Sequence, residues 1–121
     1  MLDGGWWPRS NDPAAELPAL ISGVTAHVGG IARVSLNPTA WESTPDQLQV
    51  DGRRVLVGWF RVLDAGMVSL TSASGHRIDL LVVPPGATAM SAAAAMATAA
   101  DRENRARPAA ILATSDITNP R

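Results

Sequence analysis

The segment QLQVDGRRVLVGWF, residues 47–60, limits the fold of this chain more than any other stretch, because it predicts a β-hairpin. Polar and apolar residues alternate on both sides of Asp51-Gly52, as they do in strands with one buried face. An Asp-Gly pair suits the type I′ turn, in which both central residues take positive φ. Gly58 interrupts the second arm, and a glycine inside a strand indicates a bulge or a close backbone approach.

Three further segments have the character of strands. The segment IARVSLNP, residues 31–38, alternates between an apolar and a polar face. The segments MVSLTSA (67–73) and RIDLLVVPP (77–85) follow after short turns. The apolar run from Leu80 to Val83 is continuous, which predicts a central strand covered on both faces. Short connections of this kind predict an antiparallel meander of about four to five strands.

Two helices are expected to pack on this sheet. Asp12 is placed to cap the first helix, with Pro13 at its first position, and Gly29-Gly30 is placed to end it. Pro18 removes one backbone hydrogen bond, so we expect a kink or a restart in the first turns. The alanine-rich residues 88–103 predict the second helix. The apolar stripe of the first helix consists of Leu17, Leu20, Ile21, Val24 and Val28.

The order of these elements predicts an α+β domain, with an N-terminal amphipathic helix and a C-terminal alanine-rich helix on an antiparallel sheet. One globular domain over residues 1–104 is expected, since domains usually have about 100–200 residues. The composition shifts near that boundary. Residues 105–121 are therefore predicted to form a loosely attached or disordered tail, with docking of Ile111-Leu112 as the alternative.

The composition excludes several classes of chemistry. All ten basic residues are arginines, which excludes a Schiff-base lysine and a phosphate-loop lysine. Cysteine and tyrosine are absent, which excludes disulfides, thiol nucleophiles, thiolate zinc sites and a tyrosine acid. The net charge of −1 argues against a nucleic-acid partner. The chain has neither a visible signal peptide nor an apolar run of about 20 residues, so we expect a soluble cytoplasmic protein without a membrane partner.

The two histidines offer little for catalysis. His76 and Asp79 are three positions apart on a predicted strand, which puts them on opposite faces. His27 lies at the edge of the first helix, where a half-buried structural histidine is the favoured interpretation. Spacings typical of metal ligands, phosphate loops and dinucleotide sites are absent, so no metal and no cofactor are expected. The sequence therefore favours a non-enzymatic protein without deciding the question.

The segment GGWWPRSND, residues 4–12, places two of the four tryptophans side by side. In an extended chain, which Pro8 favours, the two indoles point to opposite sides. Arg9 follows and can pair with a carboxylate or stack on a ring. Two interpretations remain open. The tryptophans either plug the end of a small core, with Arg9 tied to Asp3 or Asp12, or line a site with Arg9 for a small ligand or a partner's peptide.

The opening LDGGWWPRSNDPAAELPALI resembles the start of small actinobacterial domains of unknown function, with their Asp-Gly, WWPRS and ELP motifs. The later blocks SLNPTAW, VGWF and DLLVVPP resemble the same family in the same order, so the resemblance covers approximately residues 2–86. Members of that family tend to carry a short strand before the Asp-Gly pair, and since only Met1-Leu2 precede that pair here, we expect the strand to be missing. The resemblance therefore implies an open sheet edge and a homodimer formed by strand addition. It also implies a matched set of residues: Asp3, Trp6, Trp7, Arg9, Ser10, Asn37, Pro38, Trp41, Gly58, Trp59 and Phe60.

The leading prediction is a non-enzymatic binding or regulatory module with a Trp/Arg-lined site. The first alternative is a small enzyme that uses Arg9 with a carboxylate such as Asp3, and the second is a structural subunit of a larger assembly. The expected partners are a second copy of the chain and a small ligand or protein that the sequence does not name. The candidate binding residues are Asp3, Trp6, Trp7, Arg9, Ser10, Asn37, Trp41, Trp59 and Phe60.

Overall fold

Short strands and helices follow one another along the part of the chain that the computed structural model describes, residues 2–101 and 107–115. The strands are β1 (Gly4–Trp6), β2 (Ile31–Leu36), β3 (Gln47–Val50), β4 (Arg53–Trp59), β5 (Met67–Ser72) and β6 (Arg77–Val82). The helices are α1 (Pro13–Val28), α2 (Ala89–Ala100) and α3 (Pro108–Thr114), with one 3₁₀ turn at Pro38–Ala40.

The strands form one mixed sheet in the order β1-β6-β5-β2-β4-β3. β1 pairs in parallel with β6 and β2 pairs in parallel with β4, while the other neighbouring pairs are antiparallel. The α+β class is confirmed, but the antiparallel meander of about four to five strands is wrong. The reason is that α1 carries the chain back along the sheet. β2 therefore starts at the same end as β1 and runs in the same direction.

The segment Gly4–Trp6, which has no strand pattern of its own, forms the edge strand β1. Gly4 lies opposite Leu80 and Trp6 lies opposite Val82. Two glycines give this segment a weak strand propensity, and its partner lies far along the chain. The pairing with β6 is therefore tertiary in origin, and local pattern does not reveal it.

Local signals correctly predict the first helix. Asp12 caps it, with its Oδ1 accepting from the backbone N–H of Ala14 at 3.1 Å. Gly29 ends it at a φ of 87°, where its N–H donates to the carbonyl of Thr25 at 3.0 Å. The helix continues through Pro18, so the expected restart is wrong, because one missing hydrogen bond near the N-terminus does not end a packed helix.

The predicted hairpin is confirmed at β3 and β4. Asp51 has a φ of 52° and Gly52 a φ of 78°, the positive values of a type I′ turn. Gly58 marks a close approach rather than an irregular pairing, since β2 and β4 stay in register across it. A methyl group added at Gly58 would lie 2.6 Å from Cε2 of Phe60, so the phenyl ring lies over the glycine.

The sheet separates two apolar cores. α1 covers one face through Leu17 and Ile21, and the first core includes Val34, Leu70 and Val82. α2 and α3 cover part of the other face, at the end of the sheet that contains β1 and β6. Successive residues of the run Leu80–Val83 alternate between the two cores. Coverage of β6 on both faces is thus confirmed, although β6 is next to the edge rather than central.

Close packing of α2 depends on β1. A methyl group added at Gly5 would lie 2.8 Å from Cγ of Met96, so a side chain at this position would push the helix away. The face of α2 that points to the sheet contains the buried residues Ala92, Ala95 and Ala99. Small residues on both sides therefore allow the helix to lie directly on the edge strand.

α3 contributes two fully buried side chains, Ile111 and Leu112, to the second core. Ile111 and Leu112 thus dock on the domain, which was the alternative to a loosely attached tail at these residues. The domain boundary at residue 104 stays a prediction, and residues 102–106 and 116–121 lie outside the described residues. Among the described residues, no helix combines the length and the apolar character needed to cross a membrane.

Candidate functional site

The motifs named in the sequence analysis meet at one edge of the sheet. β1, β2, β4 and β6 run in the same direction, so their carboxyl ends lie at the same edge, here called the carboxyl edge. The segments at these ends are WWPRS, NPTAW, GWF and VVPP. Motifs spread over most of the chain are thereby brought together by topology alone.

Two tryptophans join the first two of these segments. The rings of Trp6 and Trp41 are stacked, with centroids 5.7 Å apart and an interplanar angle of 19°. Trp41 is buried and Trp6 is half-buried against the first core. The N–H of Glu42 also donates to the carbonyl of Asn11 at 2.9 Å. These contacts hold the loop after β1 against the 3₁₀ turn after β2.

The other two tryptophans donate their indole N–H groups to prolines. Nε1 of Trp7 donates to the carbonyl of Pro84 at 3.1 Å, and Nε1 of Trp59 donates to that of Pro45 at 2.9 Å. Trp7 stays 37% exposed, so the two neighbouring tryptophans point to different environments, as an extended chain requires. Both hydrogen bonds fasten loops at the carboxyl edge.

Glu16 is the anchor of the Arg9–Ser10 segment. Its carboxylate accepts from the backbone N–H of Arg9 at 2.8 Å and from the hydroxyl of Ser10 at 3.0 Å. The Arg9 side chain is exposed, and within residues 2–101 and 107–115 it forms no ion pair with Asp3 or Asp12. The geometry thus attaches this loop to α1 through the Arg9 backbone and the Ser10 hydroxyl, not through the Arg9 guanidinium.

Asp3 lies away from this edge and extends the pairing of β1 with β6. Its N–H donates to the carbonyl of Asp79 at 2.7 Å, and its Oδ2 accepts from the N–H of Asp79 at 2.8 Å. The Asp3 carboxylate therefore has a structural partner in the backbone of β6.

Asn37 links the loops that follow β2 and β4. Its Nδ2 donates to the carbonyls of Arg61 at 3.3 Å and Leu63 at 2.7 Å. Its Oδ1 accepts from the N–H of Thr39 at 2.9 Å and from the Thr39 hydroxyl at 2.7 Å. The side chain is 8% exposed, so these bonds satisfy a buried amide.

One small cavity lies among these motif residues. A cavity of about 20 Å³ lies beside Trp41, Val82 and Pro84. Such a volume holds about one water molecule. Trp6, Trp7, Asn37, Trp41 and Trp59 each contact a neighbouring segment of this edge, and Ser10 contacts α1.

A larger concave surface lies on the second face of the sheet, where α2 and α3 do not extend. This surface, here called the open face, has a cavity of about 280 Å³ between β5 and the loop after β4. Phe60 belongs to it, and it is the one candidate residue of the sequence analysis found there. The outward residues of the open face are Arg33, Ser35, Gln47, Gln49, Arg54, Leu56, Gly58, Phe60, Ser69, Thr71, Arg77 and Asp79.

Apolar side chains form a strip along β4 on the open face. Leu56 is 40% exposed and Phe60 is 45% exposed, with Gly58 between them under the phenyl ring. Val62, in the following loop, is 98% exposed and lines the same cavity. Leu56, Phe60 and Val62 therefore form an apolar patch that is exposed to solvent.

Arginines border this strip. Arg33 lies between Leu56 and Thr71 in the strand register, and Thr71 lies opposite Arg77. Arg54 projects from the same side of β4, since its neighbour Val55 is buried in the first core. All three arginines are exposed.

One carboxylate lies among them and is already engaged. Oδ1 of Asp79 accepts from Nε of Arg77 at 2.9 Å and from the hydroxyl of Ser69 at 2.6 Å. Within the described residues, the guanidinium groups of Arg33 and Arg54 have no ion-pair partner. The alternation of β2 places Arg33 and Ser35 on its polar face, but neither residue is among the candidates predicted from the sequence. Arg54, Leu56 and Phe60 stand on the same face along and just after β4, which was the available signal for a mixed basic and apolar composition but not for an uncovered surface.

The described residues contain no group of three or more histidine or acidic side chains placed to hold a metal ion. No match to this chain was found among curated proteins or among solved structures. A family model does match residues 1–99, which include the motif segments of the carboxyl edge and all the strands of the sheet. The chain therefore belongs to DUF5994, a family of unknown function.

Proposed function

We propose that this protein is a non-enzymatic binding module, and that its open face binds an acidic segment of a partner protein. The observation that carries this proposal is the surface that the helices leave uncovered, on which exposed Arg33 and Arg54 border the apolar strip of Leu56 and Phe60. The proposal takes the cytoplasm as the compartment, as the sequence predicts.

Charge complementarity supports an acidic partner. The open face presents three arginines and one carboxylate, and that carboxylate is bonded to Arg77 and Ser69. A guanidinium group offers a planar pair of donors that matches a carboxylate. Because Arg33 and Arg54 are free of ion pairs within the described residues, they can engage a partner without breaking an internal bond.

The apolar strip supports a protein as the partner. Arginine and aromatic residues are enriched in protein interfaces and dominate their binding energy. Phe60 and Val62 line a cavity of about 280 Å³, which can receive an apolar side chain of the partner. Proteins that read RNA on a sheet stack two or three bases on aromatic rings, whereas the open face has Phe60 alone.

In this proposal the motif residues of the carboxyl edge position the binding surface. The tryptophans of this edge and Asn37 are engaged with neighbouring loops, and the cavity among them is small. Asn37 holds the loop after β4 through the carbonyls of Arg61 and Leu63, and Val62 lies between these two residues. The motif residues thus fix the position of one border of the binding surface.

Fluorescence anisotropy with a labelled glutamate-rich peptide containing one central phenylalanine tests this proposal. We expect Arg33→Glu to weaken binding by about tenfold or more, and Arg9→Glu, the same charge change at the carboxyl edge, to leave it unchanged. A stronger effect of Arg9→Glu would move the site to the Trp/Arg segment. Tighter binding of a single-stranded thymidine oligonucleotide than of the peptide would replace the protein partner by nucleic acid, and absence of peptide binding would overturn the proposal.

A further inference from the structure

A second cavity lies on the other side of the sheet, between the end of α1, the start of β2 and the β3–β4 hairpin. Its volume is about 290 Å³. Its floor consists of aliphatic side chains that belong to the first core and are at most 5% exposed: Ile21, Ile31, Val50 and Val55. The cavity therefore offers an apolar bed that opens to solvent at the helix end.

An arginine and an aspartate stand at its rim. The Arg53 guanidinium lies against Gly30, where an added methyl group would overlap its Nη1 atom. Within the described residues Arg53 has no ion-pair partner. Oδ2 of Asp51 accepts from the hydroxyl of Ser22 at 2.5 Å, which ties the hairpin to α1 and leaves Oδ1 for another donor.

The rim therefore carries both signs of charge beside one apolar floor. A ligand with only a carboxylate would satisfy Arg53 but would face Asp51, and a ligand with only an amine would have the opposite conflict. A molecule with both groups on one carbon and an aliphatic body satisfies the whole rim.

We propose that this cavity binds a free aliphatic α-amino acid. The carboxylate of the ligand pairs with Arg53, its ammonium group pairs with Asp51, and its side chain lies on Ile21 and Val55. The site lies on the opposite side of the sheet from the open face, so it does not depend on the proposed protein partner.

Isothermal titration calorimetry with leucine tests this site. Two analogues separate the charges: 4-methylpentanoate lacks the amine, and 3-methylbutylamine lacks the carboxylate. We expect leucine to bind and each analogue to bind at least about tenfold more weakly. Absence of leucine binding, or equal binding of either analogue, would overturn the proposal.

Three substitutions connect binding to the rim. Arg53→Gln and Asp51→Asn should each weaken leucine binding by about tenfold. Asparagine tolerates the positive φ of position 51, so Asp51→Asn leaves the turn intact. Arg54→Gln removes the same charge on the other side of β4 and should leave leucine binding unchanged. Equal affinities in all three variants and the parent protein would show that leucine binds elsewhere, and would overturn the assignment.

Discussion

The indole of Trp6 is stacked on that of Trp41, with ring centroids 5.7 Å apart. The stack joins the last residue of the edge strand β1 to the residue after the 3₁₀ turn that follows β2, although β6 and β5 lie between these strands in the sheet. One aromatic contact therefore spans the carboxyl edge and closes the first core at that end.

Alanine substitutions should separate the roles of the two neighbouring tryptophans. Trp6→Ala should lower the free energy of unfolding by about 3 kcal/mol, because it removes packing against the core and the stack on Trp41. Trp7→Ala should lower it by only about 1 kcal/mol, since the ring is 37% exposed and mainly loses its bond to Pro84. Urea unfolding of both variants measures the difference. Equal losses would show that both rings serve as one plug.

The core face of α1 is centred on Leu17 and Ile21, so Leu17 should contribute more to stability than Leu20. Leu17→Ala should cost about 2–5 kcal/mol, because the side chain is fully buried. The sequence placed Leu20 in the core, but Leu20 is half-buried at the border of the stripe, so Leu20→Ala should cost about 1 kcal/mol. Chemical denaturation of the two variants gives the comparison. A larger loss for Leu20→Ala would place the helix in a different rotation on the sheet.

Asn37 is a buried link whose loss should be costly. Asn37→Ala leaves the carbonyls of Arg61 and Leu63 without their donor. It should therefore lower the free energy of unfolding by about 2–4 kcal/mol. Asn37→Asp should be no better, since it places a carboxylate against the same two carbonyls. Thr39→Ala is the matched control, because it removes the hydroxyl bond and keeps both carbonyl bonds. Thermal melts in which Asn37→Ala resembles this control would contradict the proposed link.

The hairpin turn should tolerate asparagine and resist valine. Gly52→Val should cost roughly 1–3 kcal/mol, because a β-branched residue is forced to a φ of 78°. Asp51→Asn should melt close to the parent protein, since Asn-Gly is a favoured type I′ pair. Differential scanning calorimetry of both variants checks this. A Gly52→Val protein as stable as the parent would mean that the turn takes another conformation in solution.

Self-association remains a prediction, and β3 is one of the two edge strands, with β1, through which strand addition can occur. The N–H of Val57 donates to the carbonyl of Asp46, which sets the hydrogen-bonding pattern between β3 and β4. The backbone N–H and C=O groups of Leu48 and Val50 therefore point towards β4, while those of Gln47 and Gln49 point away from the sheet edge into solvent. We expect a dimer by light scattering at micromolar concentrations. Gln49→Pro removes an outward donor without touching the pairs to β4, and should give the mass of one chain. A parent protein that already has the mass of one chain would contradict the dimer.

Caps and turns, whose geometry depends on residues close in the chain, are predictable from the sequence alone. The Asp12 cap, the Gly29 end of α1 and the Asp51-Gly52 turn each involve residues a few positions apart, so local steric and hydrogen-bond rules suffice to place them. The alternation of β2 likewise placed Arg33 and Ser35 on one side before any partner strand was known.

Strand pairing, loop contacts and surface coverage depend on residues far apart in the chain, so they are visible only in the tertiary structure. Gly4–Trp6 is a strand because β6 lies beside it, and the return of the chain through α1 makes that pairing parallel. Arg9 and Asp3 are near in sequence, yet one bonds to α1 and the other to β6. Within residues 2–101 and 107–115, α2 and α3 pack on the β1 and β6 side of the second face and leave the open face uncovered, which no alternation on β2 or β4 reveals. Burial is a property of what packs on a surface, so the same strand pattern can be solvated surface or a binding site.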